Sequence, residues 1–408
     1  MNFSFGKKRI YADWAATTPL RNEVKKAMDK ARKVWANPSA IYKEGVEAHK
    51  ALEKARADGA LVLGVKPEEI YFTSGGTEAN ATIIAGVLNT WLDKGRRDVH
   101  VVTSAIEHSS ILENLKLFES RGVSVTYVSP DKNGVVQAED ILKAITPATV
   151  LVTCMYANNE IGTIQPISKI GSGIRKMRAE KVGKIGQGEV REEISLPVFH
   201  TDASQVPLWL SCELEGLRAD AMTLDAHKMQ GPKGVGALVV RRNILWKPLL
   251  IGGGQERGQR STTESLELIT GFTTALAIAQ REREQKFKSA EKIQKYFFKK
   301  IASEIPKAII NGSLEKRLPN NVNISLPNIS DPEMAVLQLD KAGIACSTKS
   351  SCLKGEESSY VIKVIALSNE NSENNIHWRT KNTLRFTFSP NTNLKDINRI
   401  IESLKMLK

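Results

Sequence analysis

Lys228 stands in residues 222–238, MTLDAHKMQGPKGVGAL, where two apolar runs flank Asp-Ala-His-Lys and a glycine-rich bend. Gly231, Pro232, Gly234 and Gly236 supply the turn chemistry of two strands joined by a tight connection. A lysine pinned there is poorly placed to be a solvated charge, although a hairpin lysine that snorkels to water is the plainer reading. Three further stretches place polar residues after apolar runs: EHSS (107–110) with His108, NNEIG (158–162) with Asn159, and HTDASQV (200–206) with Asp202 and Gln205. In FTSGGTEAN (72–80) a strand ends, two glycines (Gly75 and Gly76) follow and a helix begins after Thr77, so backbone N–H groups can approach an anion.

Singly, each stretch has a structural explanation: a plain strand–helix connection, a satisfied histidine, a turn asparagine, a helix-capping aspartate. Together they put Thr77, His108, Asn159, Asp202 and Lys228 at successive strand ends of one sheet, where ligands of open parallel sheets gather. The set suits pyridoxal 5'-phosphate. Its aldehyde needs a lysine, its protonated pyridine nitrogen a carboxylate, and its phosphate a helix N-terminus.

The elements that must position these residues follow a strand–helix rhythm. EIYFT, DVHVVTS, VSVTYVSP, TVLVTCMYA, LPVFHTDA and ADAMTLDA read as strands, and SSILENLKLFESRG and AEDILKAI as helices between them. Continuous apolar strands such as TVLVTCM indicate a sheet covered on both faces. Residues 20–60 read as helical, and 265–304 as a long helix that is amphipathic at Phe287, Ile293, Phe297 and Phe298. NVNISLP, EMAVLQLDKAG and TLRFTFSP then suggest a smaller α+β domain. The expected division is a large domain over 14–264, with a basic insertion at about 171–195, and a small domain made of 1–13 plus 265–408. No internal repeat is present.

Totals are compatible with two domains: 408 residues, 41% hydrophobic and 25% charged. No apolar stretch reaches the ~18 residues of a membrane span, and the N-terminus lacks a signal-peptide core. Cys154, Cys212, Cys346 and Cys352 are too irregularly spaced for a disulfide framework or a zinc site, so a reducing cytoplasm is expected and no metal. The net charge of +13 sits largely in 173–191 and 281–300, both of which read as solvated faces. No RNA-reading motif accompanies it, so direct nucleic-acid binding is not expected.

Over most of its length the chain resembles a cysteine desulfurase of the NifS/IscS type, within the class V aminotransferase-like fold. The resemblance is carried by YADWAATTP (11–19), NPSAIYKEG (37–45), FTSGGTEAN, EHSSILENL, NNEIGTIQP, HTDASQ, DAHKMQGPKGVGAL and GGGQERGQRSTTE (252–264), in that order. It implies an α/β fold of the pyridoxal-phosphate-dependent transferase (aspartate aminotransferase-like) kind, with a mostly parallel sheet in the large domain. It implies that Lys228 holds the cofactor aldehyde, His108 stacks on the ring and helps move protons, Asp202 pairs with the ring nitrogen, and Gln205 bonds the phenolic oxygen. Asn159 would contact substrate or ring oxygen. Gly76, Thr77 and His227 would hold the phosphate, joined by Thr263 from a second protomer, hence a homodimer. Arg385 would clamp the carboxylate of the substrate, L-cysteine. Cys352, in the loop at about 346–359, aligns with the sulfur-accepting nucleophile, whereas Cys346 falls on an apolar strand position. The implied activity converts L-cysteine to L-alanine with a persulfide on Cys352. Its sulfur would pass to an acceptor protein such as an Fe–S scaffold, or towards tRNA thiolation.

Four residues depart from that pattern. Asp225 stands where Ser or Thr is usual beside the phosphate, unfavourable for a carboxylate unless it points away or bonds a backbone N–H. Thr262 and Lys349 replace glycines and Tyr42 replaces a histidine. The alternatives are a selenocysteine lyase or aminotransferase of the same fold, or a non-catalytic scaffold or RNA-binding protein. An aminotransferase needs no thiol such as Cys352, and a scaffold needs no Lys228.

Overall fold

The computed structural model describes residues 8–182, 196–329, 331–348, 358–367 and 373–407. Cys352 and Lys349 lie outside the described residues, as does 183–195 of the expected insertion.

Two short elements lead the chain, β1 (Ile10–Tyr11) and α1 (Asn22–Ala31), followed by the long helix α2 (Lys43–Leu63). The single helical region expected over 20–60 is therefore two helices. NPSA at 37–40 separates them, because the residue before Pro38 is pushed out of helical geometry. Next come β2 (Ile70–Thr73), α3 (Gly76–Asp93), β3 (His100–Ser104), α4 (Ser109–Glu119), β4 (Ser124–Val128), α5 (Ala138–Ala144), β5 (Thr149–Thr153) and α6 (Ile167–Val182). After the undescribed stretch follow β6 (Val198–Asp202), α7 (Leu214–Leu217), β7 (Ala221–Asp225) and β8 (Gly236–Val240).

Seven of these strands form one sheet in the order β2-β8-β7-β6-β5-β3-β4. β8 runs antiparallel to both its neighbours, and the remaining pairs are parallel. Successive strand residues alternate between two cores. Val102, Val152, Phe199, Met222 and Val239 face one core, with Leu52, Ile170 and Phe272 from helices. Val101, Leu151, Val198 and Leu238 face the other, with Ile83, Val87, Ile111 and Leu115 of α3 and α4. This two-sided burial is why the strands read as continuous apolar runs.

The expected insertion at 171–195 begins later than its polar composition suggests. Residues 171–182 continue α6, whose Ile167, Ile170 and Ile174 are buried against the sheet. Its Arg and Lys residues occupy the remaining helix face, and the 3.6-residue spacing of three isoleucines outweighs their number.

Helix α8 (Leu266–Glu304) joins the sheet core to a second layer. Its Leu266, Ile269 and Phe272 pack on the sheet side. Phe297 and Ile301 pack among Val322, Ile324, Leu384 and Phe386 further on. There β9 (Ile309–Ile310), β10 (Asn321–Ser325) and β12 (Thr383–Thr387) make an antiparallel sheet in the order β12-β10-β9. α9 (Pro332–Lys341) leads to β11 (Ile344–Ala345), which pairs in parallel with β1. Helices α10 (Tyr360–Leu367), α11 (Glu373–Lys381) and α12 (Leu394–Lys405) complete the described chain.

Candidate active site

A cavity of about 170 Å3 opens where the parallel strands of the large sheet end. Gly76, Thr77, His108, Asn159, Asp202, Gln205, His227, Lys228 and Arg385 all line it. Of the expected site residues that are described, the tertiary structure thus gathers all except Thr263, and Cys352 lies outside the described residues. Thr263 is exposed and lies away from the cavity lining.

Each strand end delivers its residue for a local reason. Lys228 sits on a single 3-10 turn immediately after β7, and its Nζ donates to the carbonyls of Ala15 and Ala16 at 2.6 and 2.8 Å. It is held by backbone from the YADWAATTP stretch rather than snorkelling to water. The bend that follows returns the chain as β8, and Gly236 is required there. A side-chain Cβ on it would lie 2.7 Å from the Gly75 carbonyl carbon and from the Leu224 oxygen. The close approach of β8 to the glycine turn of α3 keeps that wall of the cavity compact.

Asp202 ends β6, accepts from Asn80 Nδ2 at 2.8 Å and takes the Ser204 N–H at 2.9 Å. Asn80 also donates to Ser110 Oγ at 2.9 Å, and Ser110 Oγ lies 2.8 Å from His108 Nδ1. The Ser110 N–H donates to the same Nδ1 at 3.2 Å. With Nδ1 accepting, a neutral His108 ring carries its proton on Nε2. Asn80 and Ser110 were not singled out from sequence, although Asn80 sits one helical turn after Thr77 in the same motif and so shares its face.

Gln205 Nε2 donates to the Ala15 carbonyl at 3.0 Å, the carbonyl that also holds Lys228. Arg385, buried on β12, donates to the Asn159 carbonyl at 3.0 Å and to Asp13 Oδ1 at 2.8 Å. Asp225 ends β7. Burial favours its neutral form, but hydrogen bonding and charge from His227, the Gly76 N–H and Lys228 hold its carboxyl below the usual aspartate range. Its Oδ2 accepts the Gly76 N–H at 2.8 Å, so the departure from pattern resolves as the backbone-bonded case. Tyr42 is exposed at the start of α2, outside the cavity lining. Thr262 is likewise exposed.

Glu107, fully buried behind His108, is pushed up to about 8 by burial against the hydrogen bonds from Ser104 and the Met155 N–H. Cys346 is buried beside Val322 and Phe386, as expected of a small hydrophobe, and burial pushes its thiol up to about 12.

The residues present fit pyridoxal phosphate. A lysine amine, a carboxylate beyond an apolar wall and a glycine turn at a helix N-terminus open on one space. Among the described residues, the buried Asn159 Oδ1 and Ser204 Oγ of that wall have no hydrogen-bond partner, which a polar ligand would supply. At the phosphate end Asp225 is the one acidic group among the donors.

The aminotransferase class-V family model matches residues 10–400. A cysteine desulfurase IscS of Dictyoglomus turgidum is 35% identical, covering 98% of this chain and 96% of the relative. Among solved structures, a NifS-like protein has a TM-score of 0.84 and 31% identity, covering 98% of each chain. A structure of SspA in complex with cysteine has a TM-score of 0.73 and 30% identity, covering 93% of this chain and 99% of the other. The fold is the α/β one expected of pyridoxal-phosphate-dependent transferases. From the extent of these matches, the chain belongs to the class V aminotransferase family.

Proposed function

We propose that this protein is a pyridoxal-phosphate-dependent cysteine desulfurase that converts L-cysteine to L-alanine and carries the sulfur as a persulfide on Cys352. The observation that carries the reading is the convergence of Lys228, Asp202, His108 and the α3 glycine turn on one cavity with Arg385 across from them. The curated relatives named cysteine desulfurase and the cysteine-bound SspA structure support the substrate.

Bound there, pyridoxal phosphate supplies an electrophilic aldehyde and a ring that accepts the electron pair left at the substrate's α-carbon. The chain's residues do the rest. Lys228 would hold the aldehyde, and its amine would take and return the α-proton. Asp202, oriented by Asn80, keeps the ring nitrogen protonated. Gln205 would bond the ring oxygen and Asn159 the substrate or the ring oxygen, while Gly76, Thr77 and His227 would receive the phosphate. His108, with Nδ1 accepting from the Ser110 N–H, would stack on the ring and offer Nε2–H for proton movement. Arg385 fixes the substrate carboxylate with two parallel N–H bonds, held in place by Asp13. The Cys352 thiolate attacks the substrate sulfur: the carbon–sulfur bond breaks, a sulfur–sulfur bond forms on Cys352, and the carbon takes a proton and leaves as alanine.

Thr263 then acts from a second copy, which makes the enzyme a homodimer. The exposed Trp35, Ile41 and Ile251 support this, since their segments border one open depression lined by Pro38, Ser39, Gly254 and Gln255. Downstream, an acceptor such as an Fe–S scaffold protein takes the sulfur in the cytoplasm. Among the described residues no helix is long and apolar enough to cross a membrane.

The test is alanine and sulfide release from L-cysteine with a reductant, for the cofactor-loaded protein beside its Cys352→Ser variant. Activity in the parent and its loss in a still-yellow variant is the expected result. A yellow parent that makes no alanine sinks the reading.

A further inference from the structure

The phosphate end of the cavity already holds an anion of the chain's own. Gly76 N–H, the first helical donor of α3, gives its hydrogen bond to Asp225 Oδ2 at 2.8 Å. Asp225 Oδ1 accepts the His227 N–H at 3.3 Å, and His227 Nε2 lies 3.4 Å from Oδ2. Ser204 Oγ, buried and without a partner among the described residues, lines the same corner. An ideal Cβ on Gly76 would sit 3.0 Å from that Oγ and 3.2 Å from Asp225 Oδ2. Asp225 thus caps the helix terminus at which a phosphate is received.

We propose that Asp225 is a proton-coupled stand-in for the cofactor phosphate: it fills the anion cup at the α3 N-terminus and, when pyridoxal phosphate binds, yields that N–H and shares one proton with a phosphate oxygen. This rests on reading the cavity as a pyridoxal phosphate site. Two like unit charges ~4 Å apart at an effective dielectric of ~20 weigh about three powers of ten in an equilibrium constant, and a dianion about doubles that. Protonating an ordinary aspartate at pH 7 costs only about three powers of ten. Against a phosphate dianion proton uptake is therefore the smaller penalty, by a margin that the contacts holding Asp225 below the ordinary range reduce. The proton comes from solvent and ends in an O–H···O bond between carboxyl and phosphate, and no other bond changes.

The other charged or titratable groups around Asp225 are few. His227 and Lys228 follow it on the 3-10 turn. Glu78 lies on α3, paired with Arg260 at 2.7 Å, and Asp202 stands across the cavity. All five persist in an Asp225→Ser variant, so a comparison with that variant isolates the carboxylate.

The experiment is calorimetric titration of the cofactor-stripped full-length chain at pH 8 in two buffers of different ionisation enthalpy, which counts protons taken up. Pyridoxal phosphate should bind the parent with about one proton more than it binds Asp225→Ser. Its Kd for the parent should also rise about tenfold more per pH unit than for the variant. Pyridoxal without phosphate, titrated into the parent, should show no such extra proton, a check that does not depend on the variant folding. Equal proton counts for the two ligands in the parent, or for parent and variant, overturn this inference alone. A parent that binds neither ligand overturns the cofactor reading and this inference with it.

Discussion

Arg385 Nη2 donates to Asp13 Oδ1 at 2.8 Å, joining a residue just after the first strand to one in the last. Backbone bridges between Asp13 and Thr387 and between Ser347 and Arg385 fasten the same junction. A guanidinium already anchored by a carboxylate and by the Asn159 carbonyl loses little freedom when it takes a substrate carboxylate. Replacing it with lysine keeps the charge but loses the planar fork. Arg385→Lys should raise KM for L-cysteine about 10- to 100-fold, the weight of ~1.5–3 kcal/mol of charged hydrogen bonding. The cofactor absorbance should be unchanged. Steady-state kinetics with an absorbance spectrum decide it, and an unchanged KM removes Arg385 as the clamp.

Lys228 should be the residue that borohydride fixes to the cofactor. Reduction of the yellow protein followed by peptide mapping should find the pyridoxyl mass on the peptide containing Lys228. Lys228→Ala should show no such mass and a loss of alanine formation of at least about 10^3-fold, as for removal of a covalent catalyst. Label on another lysine would displace Lys228 from its role.

The two C-terminal cysteines should behave oppositely. Burial pushes the Cys346 thiol up to about 12, so at neutral pH it holds its proton and is no nucleophile. Cys346→Ala should keep sulfide release within about twofold and lower unfolding free energy by about 1 kcal/mol, the weight of a small buried group. Cys352→Ser should abolish persulfide formation with the fold unchanged. Mass spectrometry of the protein after one turnover with cysteine locates the added sulfur.

Glu107 should give the protein a stability that falls as pH rises. Burial raises its folded value from 4.5 to about 8, so between those limits the folded state binds more protons than the unfolded one. Its stabilising contribution is complete below about 4.5 and is lost on the way up through 8. His200, buried between Thr153 and Thr223, is held below its usual value, and its contribution is lost as pH falls below 6.5. The two oppose each other in mild acid, so the window for Glu107 is pH 7 to 8. There urea unfolding of the cofactor-free parent should lose stability with a slope of up to about 1.4 kcal/mol per pH unit. Glu107→Gln should flatten it, and an equal slope in both proteins would show that Glu107 ionises normally.

Glu256 and Arg56 form a buried two-pronged pair at 2.7 and 2.8 Å, and Glu256 also takes the Phe72 N–H of β2 at 2.9 Å. Glu256→Ala leaves the buried Arg56 guanidinium with only the half-buried Glu53 at 3.0 Å and the Ile70 carbonyl at 2.9 Å, and should cost about 3 kcal/mol of stability, the low end for a broken buried pair. Denaturant midpoints measure it. Because β2 leads into the glycine turn of α3, cofactor affinity should weaken with it. A loss below about 1 kcal/mol would mean that Glu53 alone compensates Arg56.

The motifs around the cavity were legible because each sits at a strand end marked by an apolar run followed by turn residues. That local pattern depends only on neighbours in sequence. Lys228, Asp202 and His108 could be placed on one edge from the strand–helix rhythm alone. The limits of α6 could not, since its charged face masks a three-isoleucine stripe, and the gap between α1 and α2 was hidden by their shared helical composition. We place the domain division after residue 264, immediately ahead of α8, the helix that packs on one core of the large sheet and on the core of the second layer.

By itself, the order of residues determined the fold class, the cofactor chemistry and most of the side chains that line the candidate cavity, because strand-end motifs carry their chemistry with them. Only the tertiary structure decided which groups hold those residues. The carbonyls of Ala15 and Ala16 on Lys228, the Asn80–Ser110 link from Asp202 to His108, and Asp13 on Arg385 all join distant segments. Only it, too, decided that Asp225 turns onto the Gly76 N–H. That choice depends on a 2.8 Å approach between β7 and α3, which long-range packing sets and no local pattern records.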